Sequence, residues 1–148
     1  MNGVDLFLLG RTLMKIGEQA LPTEGIGEHS TSVRTVLIVV SDVRTHPGSA
    51  VGEIAARTGL PQSAVSAAIA RLREAGAVNT EADPTDRRRS IVNPARNPSP
   101  RVAEVRAAPI DDTLATALDD PSQVAEVVDL LEKLAQYLTP DALARLRA

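Results

Sequence analysis

The side chains in this sequence best suited to surface chemistry are three consecutive arginines, Arg87, Arg88 and Arg89, in the run DPTDRRR. Guanidinium groups so close repel one another unless an anion is near, and phosphates or a narrow minor groove are natural partners. The alternative is a solvated charge run balanced by Asp83 and Asp86. Upstream, Ser63, Ser66, Ala67, Ala70 and Glu74 fall on one side of a helical period, with Gln62 before them and Arg71 and Arg73 flanking. That side has almost no bulk. Small hydroxyls and alanines suit a helix that presses against a rigid surface, and a DNA major groove admits one α-helix with its side chains at base edges. A solvated face of an ordinary helical hairpin would show the same small residues.

The elements that would position these groups lie in VGEIAARTGLPQSAVSAAIARLREAGAV, residues 51–78. Val51, Ile54, Ala55 and Thr58 recur at helical spacing, Gly59 follows as a helix-ending residue, and Pro61 suits a first helical turn. Val65, Ala68, Ile69 and Leu72 form the apolar face of the second helix, which Gly76 closes. AVNTEA and SIVN then read as two strands around a turn opened by Asp83-Pro84. A helix-turn-helix followed by a cationic hairpin makes a winged helix.

This segment, followed by DPTDRRRSIV, resembles the winged-helix core of the multiple-antibiotic-resistance (MarR) regulators, whose pattern is a helix pair ending in L-x-x-x-G-x-V and a D-x-x-D-x-R wing. The resemblance covers about a third of the chain. It implies that Arg88 enters the minor groove with Asp86 orienting it. Where the family often carries a larger polar residue this chain has Ala67, which implies little base readout from that position. It further implies a small aromatic or anionic effector, for which Arg11, Lys15 and Arg34 are candidate lining residues; each is equally readable as an exposed charge.

At 148 residues the chain has the size of one domain and enough length to bury a core. Phe7 and Tyr137 are the only aromatic residues, so any core is aliphatic. Without Cys there is no disulfide framework, thiolate metal site or thiol switch. His29 and His46 lie far apart and read as loop residues, so neither a metal nor another cofactor is expected. No P-loop, dinucleotide glycine pattern or paired His and carboxylate spacing points to an enzyme. The net charge of −3 hides a division: residues 51–106 carry a net +3, and residues 107–148 a net −5. Local sign decides binding. The start MNGVDLFLLGRTL lacks a basic n-region, and no stretch approaches a membrane span. A bacterial cytoplasmic, nucleoid-associated protein without a membrane is the simplest placement.

Residues 3–20 read as an amphipathic helix with Leu6, Leu9, Leu13, Ile16 and Ala20 in a stripe and Phe7 and Met14 off it. Pro22, Gly25 and Gly27 mark a loop over residues 22–31. Residues 33–45 are ambiguous, because Thr35 to Val40 is a β-branched run; Val33, Val36, Leu37, Val40 and Val43 favour a helix, which His46-Pro47-Gly48 would end. A short strand is expected near Ser49-Ala50, and NPARNPSP reads as a linker. Ser99 and Pro100 open a helix that Pro109 breaks, and it resumes through Leu114 and Leu118. Asp111-Asp112 and Asp119-Asp120 read as helix-start charges. Asp120 and Pro121 start another helix, with Gln123 able to close a capping box and Val124, Val127, Val128, Leu131, Leu134 and Leu138 on one face; Thr139-Pro140 starts the last.

The expected architecture is a mainly α fold with a small β-hairpin wing, a single domain over residues 1–148. Its winged helix-turn-helix spans residues 30–93, flanked by dimerisation helices at 3–20 and 99–148. The surplus apolar helices would pack either on each other within one chain or interleaved in a homodimer. The expected function is a dimeric transcriptional regulator, acting as a repressor, that reads a palindromic site on double-stranded DNA. The alternative is a winged-helix module that docks a protein.

Overall fold

A computed structural model describes residues 1–22 and 32–147, so the loop expected over residues 22–31 and His29 lie, apart from Pro22, outside the described residues. Among the described residues, eight helices and three strands form two compact units: residues 32–103 with 140–147, and residues 1–22 with 104–139. In the first unit α2 (Val33–Thr45), β1 (Ser49–Ala50), α3 (Val51–Thr58), α4 (Gln62–Glu74), β2 (Val78–Ala82) and β3 (Ser90–Pro94) follow in order, and α8 (Ala142–Arg147) returns to it. The second unit holds α1 (Gly3–Ala20), α6 (Asp111–Ala117), a single 3-10 turn at Pro121–Gln123 and α7 (Val124–Tyr137). Helix α5 spans Pro100–Ala107. The mainly helical winged-helix class is the one observed.

The β-branched run at Thr35–Val40 is helical throughout. Its buried side chains are Val39 and Val43, with Val36 and Val40 packed beside them. This set keeps the i, i+3, i+4, i+7 spacing of a helix face but differs from the expected one: Val39 joins it, and Leu37 is not among the residues packed on the core. The shift follows from α2 facing α4, α3 and β3 at once, which selects the side of the helix nearest their common centre. Ser32 caps α2 by accepting from the Thr35 N–H at 3.1 Å.

The core of this unit is aliphatic. Ile54 and Ala55 of α3, Val65, Ala68, Ile69 and Leu72 of α4, Ala77, Val78 and Val92 close around Val39 and Val43. Fully burying a Val, Leu or Ile side chain contributes about 1.5–3 kcal/mol, so α4 alone commits a large part of its apolar surface here. Helix α3 ends at Gly59, whose φ of 72° is left-handed. A Cβ there would collide with the Arg147 guanidinium, which donates to the Arg57 carbonyl at 3.2 Å and so fastens α8 to the α3 terminus. Pro61 stands just before α4 as its N-cap residue, one position outside the first turn. At the other end of α4, Ala77 N–H donates to Leu72 O at 2.9 Å and Gly76 N–H to Arg73 O at 3.1 Å, around a Gly76 φ of 77°. These two bonds form a Schellman motif, with Leu72 and Ala77 supplying its buried apolar contact.

The sheet order is β1-β3-β2, antiparallel throughout, with Ser49 opposite Val92, Thr80 opposite Val92 and Ala82 opposite Ser90. Ser99 begins α5 as foreseen: its Oγ accepts from Val102 N–H at 3.3 Å and donates to Ala75 O at 2.7 Å, tying the linker to the α4 terminus.

In the second unit α1 packs on α6, and α7 packs on α6 and the 3-10 turn. Leu114 of α6 is buried. Asp111 and Asp112 occupy the first turn of α6, and the helix stops at Ala117, leaving Leu118 as its cap. Asp120 makes its bonds to Ser122 N–H and Oγ at 3.0 and 2.6 Å; the Gln123 box closure is replaced by this tighter turn, because the chain enters 3-10 geometry first. Only the C-terminal half of the α1 stripe is covered: Leu13, Ile16 and Ala20 are half-buried, whereas Leu6 and Leu9 are exposed with Phe7, Leu8 and Met14. On α7, Leu130, Leu134 and Tyr137 are exposed, followed by Leu138. Among the described residues no helix is long and apolar enough to cross a membrane.

Three carboxylates hold backbone or turn donors and titrate below their ordinary values. Glu53 is lowered by the Ala50 N–H and then by the Arg89 charge, Asp83 by the N–H and hydroxyl of Thr85, and Asp120 by the hydroxyl and N–H of Ser122. The folded state thus holds these protons less tightly than the unfolded chain. Their stabilisation is full above the ordinary carboxylate range and is lost as pH falls through the lowered folded values. The thermal midpoint should therefore drop on acidification below about pH 5, with a shallower slope in Asp83→Asn and Asp120→Asn, which keep an acceptor but cannot titrate. Equal slopes in scanning calorimetry for wild type and both variants would count against this account.

Candidate nucleic-acid interface

Helix α4 is divided lengthwise. Its apolar face is in the core, while Gln62, Ser63, Ser66, Ala67 and Ala70 are exposed together with Arg73 and Glu74. Arg71 is half-buried. Arg73 Nη1 donates to Thr80 Oγ1 of β2 at 3.1 Å, so the C-terminal part of α4 is tied to the hairpin. The Gln62 amide lies over Gly52 of α3, where an added Cβ would come within 3.6 Å of Nε2. The exposed surface of α4 thus consists of small side chains, one amide, one hairpin-linked guanidinium and, at its C-terminal end, the Glu74 carboxylate.

The hairpin turn between β2 and β3 is built by its own acids. Asp83 Oδ1 accepts from Thr85 N–H and Oγ1 at 2.9 and 2.8 Å, an Asx turn that explains the Asp-Pro opening. Asp86 Oδ1 accepts from the backbone N–H of Arg88 at 3.1 Å, and Asp86 O accepts from Arg89 N–H at 3.0 Å. Asp86 therefore holds the Arg88 main chain. All three wing arginines are exposed, yet they differ. Arg89 Nη2 donates to Glu53 Oε1 at 2.8 Å, and its Nε is 4.0 Å from Asp83 Oδ2. Arg87 and Arg88 make no side-chain bond of this kind among the described residues.

A second cluster lies beneath. Arg57 of α3 grips Asp42 of α2 through Nε and Nη2 at 3.0 and 2.8 Å, and Nη2 also donates to Ser49 Oγ at 2.5 Å. Ser49 Oγ in turn donates to His46 O at 2.7 Å. The hydrogen bonds from Arg57 to Asp42 hold the guanidinium charged even more firmly than usual. His46 caps α2 with Nδ1 3.7 Å from Asp42 Oδ1 and Nε2 4.0 Å from Asp141 Oδ1.

Glu53 and the Arg57–Asp42 pair are not singled out by sequence reasoning. Glu53 sits at the third position of α3 and accepts from Ala50 N–H at 3.0 Å, but Ala50 offers no hydroxyl or carboxylate to signal a capping box. Of the proposed effector residues, Arg11 and Lys15 are exposed one turn apart on α1, and Arg34 is exposed in the first turn of α2, in the other unit.

Residues 35–89 match the model of the MarR family. None of the curated proteins matches the chain by sequence. Among solved structures the chain is similar to MarR, at 19% identity over 99% of this chain and 94% of that one, with a TM-score of 0.60. It is also similar to the PcaV transcriptional regulator from Streptomyces coelicolor in complex with its natural ligand, at 20% identity over 86% and 89% of the two chains, with a TM-score of 0.51. A third is Bordetella bronchiseptica BpsR, described for regulation of its DNA binding by 6-hydroxynicotinic acid, at 20% identity over 87% and 91%, with a TM-score of 0.50. At these identities the likeness is one of fold. The winged helix-turn-helix of residues 35–89 thus matches the MarR family model, within a chain that is similar in fold to MarR.

Proposed function

We propose that this chain is a dimeric, sequence-specific DNA-binding transcriptional regulator and not an enzyme. In this reading it represses at a palindromic operator in the bacterial nucleoid and is released by a small aromatic or anionic effector. The observation that carries the reading is the exposed, nearly bulk-free face of α4 in the same unit as a hairpin whose Arg87 and Arg88 point to no partner of their own among the described residues. Gln62, Ser63 and Ser66 approach base edges in the major groove, Ala67 allows close contact, and Arg71 and Arg73 serve phosphates or bases. Arg88 enters the minor groove and Arg87 meets a phosphate.

Dimerisation is supported by the second unit. Leu6, Phe7, Leu8 and Leu9 on α1, with Leu130, Leu134 and Tyr137 on α7, are large apolar side chains left exposed, the kind of surface that marks an interface. A two-fold assembly through these helices supplies two winged helices for two half-sites. Effector release is supported by the ligand named for PcaV and the hydroxynicotinate named for BpsR. Arg11, Lys15 and Arg34 are the cations proposed for an anionic effector, which can shift binding only through its differential affinity for the two arrangements.

In gel-shift titrations at fixed salt, Arg88→Ala should weaken binding to a selected operator strongly, and Gln62→Ala should relax sequence preference by about 1–3 kcal/mol at one base pair. No change in either variant would sink the contact assignment. Loss of all retention at low salt, with a protein partner recovered instead, would promote the docking-module reading. Sedimentation velocity should give a dimer for wild type, and Phe7→Glu with Leu134→Glu should shift it toward monomer while the circular dichroism is kept; a wild-type monomer at micromolar concentration would exclude the two-fold assembly. Phenolic and heteroaromatic acids should raise the melting temperature and lower operator retention together, and a panel without any such compound would favour a regulator that needs no ligand.

A further inference from the structure

Three neighbouring arginines look interchangeable in the sequence, but the folded chain treats one of them differently. Arg89 closes the wing with its main chain: its N–H donates to Asp86 O at 3.0 Å and its carbonyl accepts from Asp83 N–H at 2.9 Å. Its side chain reaches back to the first turn of α3, where Nη2 donates to Glu53 Oε1 at 2.8 Å. The same Glu53 oxygen accepts from Ala50 N–H at 3.0 Å, at the junction of β1 and α3. Arg89 also has Asp83 Oδ2 at 4.0 Å from Nε. Arg89 therefore lies between two carboxylates, whereas Arg87 and Arg88 meet neither a carboxylate nor another acceptor with their guanidinium groups among the described residues.

We propose that Glu53 and Arg89 form the anchor that sets the wing against the helix-turn-helix, and that Glu53 is a positioning residue for the DNA-contacting arginines while Arg89 is not itself a phosphate contact. The physical basis is counterion bookkeeping. Salt dependence counts the cations released from DNA as its phosphates are neutralised; an arginine already held by carboxylates neutralises no phosphate and adds little, while an unpaired arginine adds about 0.9 to the slope for each phosphate met. The pair is half-exposed, at 48% for Arg89 and 51% for Glu53, so its contribution to stability is small but measurable in a double-mutant cycle, and its main role is geometric. It joins residues 36 positions apart in the chain and links the hairpin base to the helix that precedes α4. Without Arg89, Glu53 would be left with the Arg57 charge alone to offset it.

This inference rests on the DNA-binding reading, and its test separates the two. Operator affinity is measured against salt for wild type, Arg87→Ala, Arg89→Ala and Glu53→Gln, and thermal unfolding is measured without DNA for Glu53→Ala, Arg89→Ala and the double variant. The expected slope falls by about one in Arg87→Ala and stays at the wild-type value, with several-fold weaker binding, in Arg89→Ala and Glu53→Gln. The unfolding cycle should be non-additive, because each single variant already removes the pair. An Arg89→Ala slope that falls as far as that of Arg87→Ala, or an additive cycle, overturns the anchor. Wild type that binds no DNA in dilute buffer, with a non-additive cycle, overturns the DNA role while the internal pair stands.

Discussion

Burial of Val65, Ala68, Ile69 and Leu72 decides which way α4 faces, and most of what this chain presents to solvent follows from that orientation. A helix 13 residues long with four apolar anchors on one side cannot rotate about its axis without exposing them, at a cost of several kcal/mol. The opposite side is thereby committed to solvent with Gln62, Ser63, Ser66 and Ala67 on it. The C-terminal end of α4 and the end of the preceding helix α3 are closed at glycines. Gly59 and Gly76 adopt left-handed φ, and Ser99 and Arg147 fold over the two glycines from distant parts of the chain. The helix is positioned by apolar packing along its length and by polar closure at its own C-terminus and at the end of α3.

The polar cluster of Arg57, Asp42 and Ser49 complements this packing. With Asp42 at 9% and Arg57 at 26% side-chain exposure, the pair is largely withdrawn from water, so its desolvation offsets much of its attraction. What the cluster contributes is direction. A planar guanidinium with two bonds to one carboxylate and a third to a hydroxyl admits few arrangements, and it fixes the order of α2, β1 and α3 around the apolar centre. In a core built from Val, Ile, Leu and Ala without aromatic bulk, such directional contacts add the specificity that shape alone supplies weakly.

The two units divide the chain's surface by kind. The winged-helix unit covers most of its large aliphatic side chains, Ile38 and the α8 leucines Leu143 and Leu146 excepted, and exposes small and cationic ones, while the unit of α1, α6 and α7 leaves leucines, Phe7 and Tyr137 in the open. The charge division runs the same way: the positive balance of residues 51–106 coincides with the helix-turn-helix and wing, and the negative balance of residues 107–148 with the C-terminal helices. A surface suited to an anionic polymer and a surface suited to another apolar face therefore occupy different parts of one short chain.

The extent of most elements was legible because their signals are local. The Ser99 cap, the Pro109 break, the Asp83-Pro84 turn and the spacing of Val65, Ala68, Ile69 and Leu72 each act within a few residues. The helix over Val33–Thr45 also followed from period, since a strand would have set Val36, Val39, Val40 and Val43 on both faces. The tertiary structure decided what depends on distant partners. It buried Val39, paired Arg57 with Asp42 and Arg147 with the end of α3, and separated Arg89 from its two neighbours by giving it Glu53. Spacing along a chain encodes which residues share a face, but which face meets which, and which charge meets which, is settled only when elements from remote segments pack together.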